Sequence, residues 1–278
     1  MARKTWAYYP STPIAALQGH KLRVEIGSHY VACSVSEEEQ PIAFEFFELD
    51  NDINEWSDII FEVKSNSLLL NSHSGSVDIR YNFKEVLLVP MEKLTSAAAA
   101  DYLTLIHGNA LNHEIKHDKI ADQAGMLTIY RVKSSIVDQA LRHFHLFQAQ
   151  HVYTDIINQL LIRTDLTDKF LKIQVYPNSF IAVLMIGRQV QMIQTFSFET
   201  TEDICFYLLS ILKEYAASVN DTSLEMSGFI EPHGELHRRL QQLFNNRHFH
   251  NLQETAVLSG MLEHNHPHTF TPFFNSTT

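Results

Sequence analysis

The chain has 278 residues, 45% of them hydrophobic, with 21 Lys plus Arg against 32 Asp plus Glu for a formal charge of −11. A phosphate backbone or an anionic membrane surface would meet net repulsion, and no basic run interleaved with aromatics offsets it, so no nucleic-acid partner is expected. No apolar run approaches the roughly 20 residues that span a bilayer, and Pro10 and Pro13 break the start before any signal-peptide core, which together point to a cytoplasmic chain long enough for two domains.

Cys33 and Cys205 lie inside apolar segments and read as small core residues, not a disulfide. Residues 1–20, with Trp6, Tyr8, Tyr9 and two prolines, read as an irregular lead-in. Residues 22–35, LRVEIGSHYVACSV, alternate apolar and polar side chains on either side of a turn at Gly27-Ser28, the pattern of a half-buried antiparallel hairpin, and residues 42–49 add a third strand. Asp52 with Glu55 three residues on has the form of a capping box, opening a helix that carries Trp56, Ile59, Ile60 and Val63 on one face. Residues 77–90 read as one strand, and 96–107 as a helix stopped by Gly108. Residues 115–120 and 126–132 can pair around the turn at 122–125. Ser134 or Ser135 starts a helix burying Ile136, Val137, Ala140, Leu141 and Phe144, and Thr154 starts another with Ile156, Ile157, Leu160 and Leu161. The polar run 163–169 reads as a link.

A second copy of the opening pattern begins at Leu171 as LKIQVYPNSFIAVLM. Leu22, Arg23, Val24, Glu25 and Ile26 correspond to Leu171, Lys172, Ile173, Gln174 and Val175, and after one extra turn residue Tyr30, Val31 and Ala32 correspond to Phe180, Ile181 and Ala182. Residues 189–198 follow a turn at Gly187-Arg188, and Thr200 with Asp203 caps a helix lined by Ile204, Leu208, Ile211 and Tyr215. Three strands and a capped helix, twice at one spacing, argue for an internal duplication. A strand at 223–226, a turn at Ser227-Gly228 and a helix over 235–245 come next, and a tail rich in His and Asn closes the chain. Phe270, Phe273 and Phe274 of that tail are placed to dock either on this chain or on a partner.

This order resembles the actin-like ATPase superfamily, and so implies an α/β, two-lobed fold: a duplicated ribonuclease-H-like unit with mixed sheets flanked by helices. EIGSHYV (25–31) is similar to that superfamily's first phosphate loop, and LEMSGFIEPHGELHRRL (224–240) resembles its adenosine motif. Residues 126–162, read as strand, helix, short strand and helix, are similar to the interlobe portion of the type IV pilus assembly protein PilM. The length and overall pattern resemble more closely still a bacterial family of unknown function assigned this fold. The resemblance implies lobes over 1–165 and 166–278, with a PilM-like inserted subdomain near 109–150.

It also implies a nucleotide site at Glu25, Gly27, Ser28, Gln174 and Gly228, in vestigial form. An ATPase of this kind needs glycines against the phosphates and an Asp in each copy to hold hydrated Mg²⁺. Here Glu25 and Gln174 stand for the two Asp, His29 crowds the first loop, Tyr176 and Pro177 replace the second, and Phe229 takes the place of a second adenosine-motif glycine. Those losses argue against hydrolysis and leave no expected catalytic residue or cofactor, with altered binding of ATP and Mg as the alternative. The expectation is a protein-binding or scaffold module with a protein partner.

His113-Glu114-Ile115-Lys116-His117 matches the zincin pattern HExxH, which requires a helix to place both imidazoles on one metal. On the strand expected here the two would stand about 13 Å apart. His264, His266 and His268 in HNHPH, and Arg-His-Phe-His at 142–145 and 247–250, read as solvated segments. No metal site is expected.

Overall fold

A computed structural model describes residues 1–10, 17, 20–37, 40–50, 55–72, 75–121, 125–252 and 266–274. The chain divides into two compact units, Met1–Asn158 and Gln159–Asn275.

The first unit opens with β1 (Ala2–Tyr8), β2 (Lys21–Gly27), β3 (Tyr30–Glu37) and β4 (Gln40–Leu49), followed by α1 (Trp56–Asn66), α2 (Leu68–Ser72) and β5 (Val77–Asn82). Next come β6 (Val86–Pro90), α3 (Ser96–His107), β7 (His113–Lys119), β8 (Met126–Lys133), α4 (Ser134–His143), β9 (Phe147–His151) and α5 (Val152–Ile162). The main sheet runs β1-β4-β3-β2-β5-β9, antiparallel through the opening hairpins and parallel from β2 to β5 to β9. A separate antiparallel sheet, β6-β8-β7, has Leu127, Ile129 and Val89 packed with Ala99 and Leu103 of α3.

The second unit holds β10 (Lys169–Val175), β11 (Ser179–Ile186), β12 (Gln189–Ser197), α6 (Thr201–Glu214), β13 (Ser223–Gly228), α7 (Glu235–Leu243), β14 (Arg247–Phe249) and α8 (Pro267–Phe274). Its sheet is β12-β11-β10-β13-β14. Strip β1 from the first sheet and the two orders coincide strand for strand, with three antiparallel strands followed by two parallel ones. Shared topology is what a duplication leaves after side chains diverge. The two-residue turn joining β11 to β12 has φ of +57° at Gly187 and +63° at Arg188, the left-handed pair that tight hairpins demand. Thr200 caps α6 with both bonds of a capping box, and the core beneath is built from Ile173, Leu184, Ile204, Leu208, Met226 and Leu240.

Several expectations need correction. Residues 2–8 form edge strand β1, because Ala2 to Tyr8 find a ready ladder along β4 and the prolines fall only after it. The stretch 77–90 is two strands in two sheets, broken at Phe83-Lys84-Glu85. Glu55 occupies the N-cap of α1 with no side-chain capping bond, while Asp52 lies outside the described residues. Helix α5 starts at Val152, two residues before Thr154, and Leu141 is 64% exposed because α4 turns only Ile136, Val137, Gln139 and Ala140 inward. Neither hairpin is half-buried: β2 and β10 are covered on both faces, so Arg23, Glu25, Lys172 and Gln174 are buried too.

Candidate functional site

Burial of those four polar side chains is tolerable only if each is neutralised or hydrogen-bonded. In the first unit Arg80 Nε of β5 stands 2.5 Å from Asp155 Oδ2 of α5, and Arg23 Nη2 is 3.7 Å from the same oxygen. In the second unit Lys172 Nζ lies 2.5 Å and Arg163 Nη1 2.7 Å from the two oxygens of Glu225 on β13, with His248 and His250 each 3.3 Å away. Arg23 and Lys172, matched by the duplication, thus anchor comparable buried ion pairs through partners far away in sequence. Burial alone would raise the Glu225 pKa, but Lys172, His248 and His250 outweigh it and hold the carboxyl far below its ordinary range. Burial, then Lys172, pushes His250 down to about 4.

At the loop end of β2, Glu25 is 1% exposed. It accepts a short hydrogen bond from the Tyr30 hydroxyl and a 3.2 Å bond from Asn82 Nδ2, and Asn82 also donates to the Tyr30 oxygen at 2.6 Å. Burial pushes the Glu25 pKa up to about 7, against the lowering effect of Tyr30, Arg23 and Asn82. The Tyr30 ring lies directly on Gly27, leaving no room for a Cβ there, and stacks on Phe46 at 5.3 Å between centroids. Ser28 stays exposed at the turn. Glu25, Gly27 and Ser28 are therefore brought together, with the carboxyl capped by its own neighbours.

In the second unit, Gln174 is buried at the end of β10 and receives the Tyr176 hydroxyl at 3.5 Å. Gly228 ends β13 at φ +87°, where a Cβ would strike the Val175 carbonyl, so the position demands glycine. Phe229 N then donates to that carbonyl at 2.9 Å. Between Tyr176 and Phe229 stands Phe273 of α8, edge-on to both at 6.1 and 6.4 Å. The tail aromatics dock on this chain: Phe270, Phe273 and Phe274 are buried, and Thr271 Oγ1 donates to the His250 carbonyl at 2.6 Å. His268 is buried as well, 2.7 Å from the Ile230 carbonyl and stacked on Phe249, which overturns the solvated reading of that part of the tail; His264 lies outside the described residues.

Asn82 was not singled out in the sequence, and neither Tyr30 nor Phe273 was assigned to the site. Tyr30 carried a signal, as the polar-tipped counterpart of Phe180, whereas nothing local in the tail ties Phe273 to Tyr176. His113 to His117 lie on β7, so the HExxH geometry does not form. Among the described residues no group of three His, Cys, Asp or Glu side chains is arranged to hold a metal ion.

This topology belongs to a known class. A Bacteroides thetaiotaomicron protein with an actin-like ATPase fold and unknown function superposes with a TM-score of 0.74 at 16% identity, covering 90% of this chain and 98% of that one. PilM-PilN, a type IV pilus biogenesis complex, gives 0.63 at 12% identity over 93% and 98%. The chain has the two-lobed actin-like ATPase fold. More narrowly, residues 12–246 match the family described as protein of unknown function, DUF3822, and the chain belongs to that family. No curated protein sequence matches it. Among the described residues no helix is long and apolar enough to cross a membrane.

Proposed function

We propose that this protein is an actin-like fold that no longer hydrolyses nucleotide and acts as a protein-binding or scaffold module. What supports the reading is that residues the resemblance assigns to the phosphate loops and adenosine motif are engaged by the chain's own side chains. Glu25 is committed to Tyr30 and Asn82, and Gly27 is roofed by the Tyr30 ring. Tyr176, Phe229 and Phe273 form an aromatic plug where the second loop and the adenosine motif would need open backbone. Gln174 supplies no charge to a hydrated Mg²⁺. With Glu25 held by its own neighbours and both loops crowded, neither Mg²⁺ nor nucleotide phosphates have a preorganised partner in those loops. The analogy for the binding role is PilM, which occurs in a complex with PilN; it is an analogy of fold.

A phosphate-release assay with Mg-ATP is expected to show no turnover above buffer. Affinity capture of the tagged chain is expected to recover the same stoichiometric partner with and without Mg-ATP. Turnover abolished by Glu25→Gln, or a capture that depends on nucleotide, would contradict the reading.

A further inference from the structure

The first unit contains a cavity of about 180 Å³ lined by Ser28, Trp56, Phe83, Lys84, Glu85, His113, Arg131 and Lys133. Its lining comes from the β2-β3 turn, α1, the break between β5 and β6, and the three-stranded sheet. Three of its walls are cationic and one is anionic, so with His113 neutral the lining carries two net positive charges in a chain of −11. Arg131 is only 4% exposed. Its Nη2 is held by the Gly108 carbonyl at 2.7 Å, while Nη1 makes no hydrogen bond and stands 3.5 Å from Glu85 Oε2, which makes none either. A buried guanidinium with a donor to spare is costly unless something accepts from it. Also in the lining, Trp56 and Phe83 meet edge to face at 6.1 Å and 90°, giving an aromatic corner.

From this combination we infer that the cavity binds an oxyanion borne on a compact apolar body, with Arg131 as the buried anchor and Lys84 and Lys133 at the exposed rim. A space slightly above the ~150 Å³ that admits a benzene ring suits an aromatic or short aliphatic acid. The forked guanidinium donates to a carboxylate or phosphate in the same geometry, but only a ligand with an apolar part would also cover the aromatic corner. The inference does not depend on the scaffold reading.

Calorimetric titration of the full chain at low salt would use three probes: benzoate, inorganic phosphate and benzylamine. Benzoate is expected to saturate, more tightly than phosphate, with benzylamine silent and added salt weakening the affinity. Lys84→Met with Lys133→Met, both exposed and harmless to the fold, is expected to weaken benzoate about tenfold. Arg131→Met is expected to abolish binding, provided its melting curve stays cooperative; the double variant decides if it does not. Failure of benzoate to saturate, binding of phosphate alone, equal binding of benzylamine, or an unchanged affinity in the double variant would overturn the inference.

Discussion

Glu25 is a carboxyl placed where ionisation is expensive. Its folded pKa of about 7 lies above the ordinary 4.5, so the folded state holds a proton that the unfolded state has released between those values. Unfolding free energy therefore falls as pH rises through that window, by about 1.4 kcal/mol per pH unit at most. Its contribution is full below 4.5 and lost by the time the pH passes 7. Glu25→Gln is expected to flatten this dependence and to be more stable than the wild type at pH 8, as measured by denaturant unfolding at pH 5 and 8. Glu225 behaves in the opposite sense, since its folded pKa is depressed. Its stabilisation is present above the ordinary carboxylate range and lost under strong acid, and Glu225→Gln, which strands Lys172 in the interior, is expected to cost about 3–5 kcal/mol at neutral pH. Gly228→Ala combines a positive φ with a collision against the Val175 carbonyl and is expected to cost more than the ~1–2 kcal/mol of the left-handed backbone alone.

Among the elements, α6 is the best specified: its cap, its inward face and its start were all legible in local sequence. Thr200→Ala removes one half of the capping box and is expected to lower the unfolding free energy by about 1 kcal/mol, read from the denaturant midpoint at unchanged m-value. The hairpins were equally legible, because alternation and turn residues are short-range signals. What escaped was decided at long range. β1 exists only because β4 offers an edge, and β14 is a short strand recruited by β13. The single stretch 77–90 became two strands because the three-stranded sheet claims its second half. Helix α8 shows the same limit: Phe273 looks like an ordinary tail aromatic until the fold sets it between Tyr176 and Phe229. Phe273→Ala is expected to cost about 3–5 kcal/mol by leaving a cavity in that cluster, measured by thermal or denaturant unfolding.

For the whole molecule, the repeated strand order was readable because both copies kept their hydrophobic pattern and their turns. The candidate site was only half readable. The resemblance sets Gln174, Tyr176 and Phe229 against a carboxylate and two glycines, but sequence does not show that Tyr30 and Asn82 bond Glu25 or that Phe273 packs on Tyr176 and Phe229. The proposed loss of nucleotide handling rests on those contacts. Its most direct test is a thermal melt of the intact protein with and without millimolar Mg-ATP. Because a ligand at 100 times its Kd adds about 2.7 kcal/mol to the folded state, real binding would raise the midpoint by several degrees. The expected result is coincident curves; a rise of several degrees that saturates with Mg-ATP would contradict it.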